Sequence, residues 1–153
     1  MGEEQAAADF LGEFARRLNG NNQVTIPAHF RTILPEEDQD KGFCLVQSNP
    51  SCICLYAHSE ISRQMAKAKG TMSRAKRRKI TRRIQPVEMD GQGRIVIPSA
   101  LKEAVGIEKD AIFVGNLDRI EIWEPGRLKR ADEEPDAGTD EQVDEVMFDL
   151  FER

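Results

Sequence analysis

The sequence predicts a mainly β protein with accessory helices, an α+β fold built as a tandem repeat with a pseudo-two-fold relation between its halves. Three observations predict it. The block Gln23-Val-Thr-Ile-Pro-Ala-His-Phe-Arg31 returns as Arg94-Ile-Val-Ile-Pro-Ser-Ala-Leu-Lys102, with Val24/Ile95, Ile26/Ile97, Pro27/Pro98, Phe30/Leu101 and Arg31/Lys102 at a constant offset of 71. A second block, Asn49 to Tyr56, aligns with Asn116 to Trp123 at an offset of 67 and follows in the same order. Each copy reads as a short strand, a proline-started helical turn or two, and a hairpin. Chance likeness between two short β segments is the alternative, and the shared order of two blocks argues against it. A unit of roughly 35–40 residues is too small to bury a core alone, so the copies are expected to pack on each other as a dimer within one chain.

The elements follow in order. Residues 3–18 read as a helix, with Phe10, Leu11, Phe14 and Leu18 on one face and acids opposite. The expected organisation is an N-terminal helix over 1–18, a first repeat over 19–58, a basic helical linker over 59–86, a second repeat over 87–130, and an acidic linker with a final helix over 131–153. The first copy carries four extra residues, which the acidic loop Glu36-Glu37-Asp38-Gln39-Asp40 can hold. The linker helix is interrupted near Gly70-Thr71 and ends before Gln85-Pro86. In the second copy Ile95 and Ile97 alternate with Arg94 and Val96; Ser99 is expected to cap the short helix and Gly106 to end it. Ala111–Val114 and Ile120–Trp123 then form a hairpin around Gly115-Asn116-Leu117-Asp118. After a solvated stretch over 131–142, Val143, Val146, Met147, Leu150 and Phe151 make an apolar helical stripe. It is expected to dock on this protein or a neighbouring subunit in preference to a foreign partner.

Charge is distributed unevenly. The 153 residues carry 22 basic and 27 acidic side chains, a net charge of −5. Residues 63–83 hold ten Lys/Arg and no acid, whereas 132–153 hold ten acids against Arg153 alone; positions 1–131 therefore carry +4. A basic body with an acidic tail keeps nucleic acid in play. The acidic start Met-Gly-Glu-Glu-Gln is not a secretory signal, no long apolar run predicts a membrane span, and three cysteines are too few and odd in number for a disulfide framework. A cytosolic protein is expected.

The most informative motif is Asp90-Gly91-Gln92-Gly93-Arg94, set directly before a strand and Pro98. Glycines permit the positive-φ conformations of a tight loop, Asp90 can bind the loop's own N–H groups, and Arg94 projects a planar fork that suits phosphate or guanine O6/N7. The alternative is an ordinary hairpin turn whose arginine pairs with a surface acid.

The string DGQGRIVIPSALKEAVGIEKDAIFVGNLDRIEIWEP resembles the second half of the bacterial MraZ family, within the AbrB/SpoVT swapped-hairpin superfamily. The likeness spans about residues 19–128 and rests on Asp-x-x-x-Arg, Ile-Pro-x-x-Leu, Gly-Ile-x-Lys-Asp and Glu-Ile-Trp in that order. It implies tandem AbrB/SpoVT-like swapped-hairpin barrel halves and a sequence-specific, duplex-DNA-binding transcriptional regulator. Such a regulator would repress the promoter of its own cell-division and cell-wall gene cluster and assemble as a ring-like homo-oligomer. It further implies that each Asp-x-x-x-Arg element supplies a DNA-contacting loop. Here the second half keeps Asp90 and Arg94, but the first has Asn19-Gly20-Asn21-Asn22-Gln23, which can pair with bases yet supplies no charge.

The expected DNA-binding set is therefore Arg94 as main anchor, Asp90, Gln92 and Gly93 in its loop, and Asn21, Asn22 and Gln23 as lesser polar readers. Arg31 and Lys102 are candidates for phosphate contacts, with plain surface cations as the alternative. Ten cations in the linker could add salt-sensitive, non-specific affinity, or serve as a solvated face or a dock for the acidic tail. No aromatic interrupts 63–83, which disfavours stacking on single strands. Catalysis finds no support: His29 and His58 are the only histidines, and no phosphate-binding loop, catalytic triad or Cys-x-x-Cys is present. Cys52-Ile53-Cys54, with Cys44 and His58, lacks the usual zinc spacing, and cysteines often fill strand interiors as small hydrophobes. No metal, cofactor, membrane or small-molecule substrate is expected. The partners expected are duplex DNA at repeated promoter sites and further copies of the chain, in a nucleoid-associated protein. A sequence-blind nucleoid binder and an oligomeric protein-interaction module remain the rival readings.

Overall fold

The two copies of the Ile-Pro block meet each other in a short antiparallel ribbon, and the rest of the fold is arranged around that pairing. The computed structural model describes residues 9–39, 42–48 and 51–152. The first half comprises β1 (Glu13–Arg17), β2 (Gln23–Thr25), α1 (Ala28–Ile33), a 3-10 turn over Glu36–Asp38, β3 (Phe43–Ser48) and β4 (Cys52–Ala57). Two helices, α2 (His58–Lys67) and α3 (Arg74–Thr81), link it to the second half. That half repeats the order as β5 (Ile84–Val87), β6 (Arg94–Val96), α4 (Ser99–Ala104), β7 (Asp110–Asn116) and β8 (Arg119–Trp123), followed by α5 (Pro125–Asp132) and α6 (Asp140–Phe151).

The halves exchange strands. A six-stranded sheet runs β1-β7-β8-β4-β3-β5, every pair antiparallel, while β2 and β6 form a separate two-stranded ribbon. The first strand of each half thus pairs with the other half's hairpin: β1 on β7 and β5 on β3. In the ribbon Val24 faces Ile95, and the pairing is extended by Ile26 N–H to the Gly93 carbonyl (2.8 Å) and Ile97 N–H to the Asn22 carbonyl (2.9 Å). The expected packing of copy on copy is present, within an α+β fold.

Hydrophobic burial explains the arrangement. Val24, Ile26, Ile95 and Ile97 lie buried between the helices and one face of the large sheet, with Phe10, Phe30, Phe43, Ile53, Leu55, Phe113, Ile120 and Ile122. Each such side chain contributes about 1.5–3 kcal/mol on leaving water. Phe30 meets Phe10 and Phe14 edge-on, at 5.8 and 5.2 Å between ring centres. The opposite sheet face carries a smaller cluster of Cys52, Cys54 and Trp123, partly covered by Leu128 and Ala131 of α5.

Three expectations need correction. Residues 9–18 are not helical: Glu13–Arg17 is a strand with alternating exposure, so the first repeat begins before position 19, and residues 3–8 of the expected helix lie outside the described residues. The pairing offered by β7 overrides the helical propensity of the segment. Likewise the last residues of the expected linker, 84–86, are not linker but belong with Val87 to β5, the strand that opens the second repeat; Pro86 is tolerated because β5 is a sheet edge. Ser99 does not cap α4, whose N-cap position is Pro98; its hydroxyl accepts a hydrogen bond from the Asn22 amide instead (3.1 Å). Gly106 does end α4, at φ 75°, with the Ile107 N–H returning to the Lys102 carbonyl (3.0 Å).

The acidic insertion is structural. Asp38 is fully buried and accepts from the Ser59 N–H (2.8 Å) and hydroxyl (2.6 Å), which satisfies one backbone donor in the first turn of α2. Burial, together with the Asp38 charge, pushes the nearby Cys44 thiol up. Glu60, also buried, is held by Arg63 and Gln64.

Candidate nucleic-acid interface

The loops that precede β2 and β6 have the same backbone construction from different residues. In the second half the Asp90 carboxylate accepts the N–H groups of Gln92 and Arg94, both at 2.9 Å, through Oδ1, and Arg94 Nε through Oδ2 at 2.8 Å. In the first half Asn19 Oδ1 accepts the N–H groups of Asn21 (2.9 Å) and Gln23 (3.0 Å), while its Nδ2 donates to Gln23 Oε1 (2.9 Å). The loop-closing backbone bonds also match: Asp90 N–H to the Arg94 carbonyl (2.9 Å) and Asn19 N–H to the Gln23 carbonyl (3.0 Å). Asn19–Gln23 is thus a neutral copy of the Asp90–Arg94 pair, with its side-chain hydrogen bond reversed in direction.

The electrostatics differ accordingly. The Arg94 N–H bonded to Asp90 holds its carboxyl below the usual carboxylate range against an opposing desolvation, helped by the Arg94 side chain and the Gln92 N–H. Among the described hydrogen bonds only Nε of Arg94 is engaged by Asp90, which leaves its two Nη groups for a ligand. Gln92 and Asn21 are exposed at the loop tips, and Gly93 is buried.

Each loop is clasped by the opposite half. Lys102 of α4 donates Nζ to Asn22 Oδ1 at 2.8 Å, fixing Asn22 at φ 60°. At the matching position Gly93 has φ 79°, and a β-carbon there would overlap the guanidinium of Arg31 from α1. Arg31 and Lys102 therefore brace loops across the pseudo-two-fold relation, and the buried Nε of Arg31 has no hydrogen-bond partner in the described structure. The repeat makes these two residues equivalent in sequence but carries no sign of this crossing, because equivalence does not say which copy each side chain reaches.

The remaining cations lie elsewhere. Arg16 and Arg17 are on β1, where Arg17 meets Asp110 at 3.8 Å and Arg16 stacks 5.8 Å from the Phe14 ring centre. In the basic segment α3 has no buried residue and its cations face solvent or its margin. His29 lies on α1 against Phe14 and Phe30 (5.9 Å between ring centres in each case), a packing role. The apolar stripe of α6 is exposed along its length, from Val143 to Phe151. None of the helices among the described residues is long and apolar enough to cross a membrane.

Comparison with known proteins gives a consistent family. A family model described as "MraZ protein, putative antitoxin-like" matches residues 80–149, from the end of α3 through the second repeat into α6. A protein named transcriptional regulator MraZ from Cytophaga hutchinsonii is 32% identical over 121 residues, covering 76% of this chain and 80% of that protein. Its namesake from Thermoanaerobacter sp. (strain X514) is 33% identical over 145 residues, covering 92% of this chain and 95% of its own. The Yersinia enterocolitica protein of the same name is 26% identical over 149 residues, covering 92% and 98%.

Proposed function

The chain belongs to the MraZ family of transcriptional regulators, DNA-binding proteins and not enzymes, and on that premise we propose that it reads duplex DNA through the two braced loops. The observation that carries the reading is the rigid, twice-repeated loop, which in one copy offers a guanidinium held at its base by an acid. Arg94 is the principal anchor on phosphate or guanine; Gln92, Asn21 and Gln23 are polar readers; Asn22, whose amide is taken up by Lys102 and Ser99, shapes the neutral loop as Asp90 and Gly93 shape the charged one. Arg31 and Lys102 hold the loops in register and place positive charge beside them, where a phosphate also fits.

One charged loop per chain is a weak grip. Several chains on repeated sites raise it by effective concentration, so the proposal includes a homo-oligomer, in which the exposed α6 stripe packs against a neighbouring subunit. Repression of its own cell-division and cell-wall gene cluster, by blocking polymerase access, is the expected output, and nucleoid association the expected location. The exposed basic segment favours an added, sequence-blind contribution.

Fluorescence anisotropy with DNA from immediately upstream of the gene, against a scrambled duplex, tests this for wild type and Arg94→Ala. A preference for the native fragment that disappears in Arg94→Ala is expected. Equal, steeply salt-dependent binding to both duplexes would transfer the function to the basic segment, and absence of binding would leave a protein-interaction module.

A further inference from the structure

On the sheet face away from the main core, Cys52 and Cys54 occupy alternate positions of β4 and project to the same side, while Glu121 of β8 stands opposite Cys54 in the register. The two thiol sulfurs and a Glu121 carboxylate oxygen all lie within 4.8 Å of one another. Both cysteines are free thiols and buried, with 4% and 3% of their surface exposed. The carboxylate is held on both oxygens: Trp123 Nε1 donates to Oε1 at 2.9 Å and Asn116 Nδ2 to Oε2 at 3.3 Å. Ser48 of β3 stands opposite Cys52 in the register.

We propose that Cys52, Cys54 and Glu121 form a zinc(II) site that joins the two repeats. The donor set is two soft sulfurs and one carboxylate oxygen, which suits a borderline-soft cation without geometric demands of its own. Tetrahedral zinc, with Zn–S of about 2.3 Å, wants its sulfurs about 3.8 Å apart; on binding, the three atoms, within 4.8 Å of one another, would draw in to such spacing. Water or the Ser48 hydroxyl completes the shell. Trp123 and Asn116 orient the carboxylate in the way outer-shell partners orient metal ligands. Binding deprotonates both thiols and releases two protons to solvent. Two thiolates, one carboxylate and a dication leave one negative charge. It is faced by Arg119, itself paired with Asp118 at 2.8 Å and stacked 5.1 Å from the Tyr56 ring centre.

The sequence hides this set. Cys-x-Cys alone lacks zinc spacing, and the third ligand comes from the other repeat, so the site exists only once β4 and β8 are paired. A metal there ties the repeats together at the middle of the sheet, independently of DNA.

Titration of the reduced, full-length protein with cobalt(II) tests it. A thiolate-to-cobalt charge-transfer band that saturates at one equivalent and is displaced by zinc is expected, with zinc raising the melting temperature. Cys52→Ser and Cys54→Ser should abolish the band and Cys44→Ser should keep it; Trp123→Phe should weaken zinc binding by about tenfold or more. No band in the wild type, or a band that survives both Cys52→Ser and Cys54→Ser, overturns the proposal. If the serine variants do not fold, cadmium NMR of the wild type decides: a bound resonance in the two-sulfur range supports the site, and a sulfur-free or missing one removes it.

Discussion

Restoring charge to the neutral loop is the sharpest perturbation of the DNA reading. In the double variant Asn19→Asp with Gln23→Arg, the loop keeps its geometry, because Asn19 already accepts the same two N–H groups that Asp90 accepts and already touches residue 23 at 2.9 Å. The new pair should adopt the Asp90–Arg94 arrangement, closed at 2.8 Å. Each added phosphate contact steepens the slope of log K against log salt by about 0.9. Between about 50 and 200 mM salt that is an extra loss of about 3.5-fold in affinity per newly engaged loop. Anisotropy titrations across this range should show the steeper slope together with tighter binding at low salt. Asn19→Asp alone should bind more weakly than wild type, since it adds an anion with no cation to hold. A folded double variant with the wild-type slope would refute the idea that the first loop faces DNA. Arg94→Ala with an unchanged slope would refute it for the second.

Further outcomes follow from the same contacts. Asp38→Ala should destabilise the protein by about 1–3 kcal/mol in denaturant unfolding, because the N–H and hydroxyl of the partly buried Ser59, in the first turn of α2, lose their acceptor. Leu117→Asn should stabilise by up to about 1 kcal/mol, because Leu117 is exposed and holds φ 63° in the β7–β8 turn. The Asp90 carboxyl carbon, followed by NMR, should titrate below the ordinary value of 3.8. With its folded value depressed, the ordering it gives the loop is complete above the ordinary value and fades as pH falls through the depressed one; a midpoint at or above 3.8 would contradict the hydrogen bonds drawn to it.

The repeat, its proline-started helices and the β7–β8 hairpin could be read from the sequence because they are local patterns that occur twice. The opening strand was not legible, for a definite reason: Phe10, Phe14 and Leu18 are four apart, a spacing that satisfies a helical stripe and a strand face equally well. Only Leu11 favours the helix, and in the structure Leu11 is 57% exposed while Phe10 and Leu18 are buried. Gly12, at φ 98°, breaks the segment between them. In sequence Asp38 is one acid of an inserted acidic loop, and nothing local marks it as the carboxylate that accepts from a helix N–H twenty-one positions on. The loop motif was legible in full, while its bracing by Arg31 and Lys102 depends on which copy each helix packs over. Glu121 joins Cys52 and Cys54 only through the β4–β8 register.

A dimer of identical chains is the same from either side, and it favours palindromic sites because operator symmetry mirrors protein symmetry. The strand exchange described above gives one chain the layout of such a dimer while leaving its halves free to diverge, and they have: one tip carries Arg94 and the other Gln23. The unit consequently has a head and a tail. If the two loops read DNA as proposed, such a unit would tell left from right on a duplex, and inverting a single repeat of its target should cost binding even though no base has been lost.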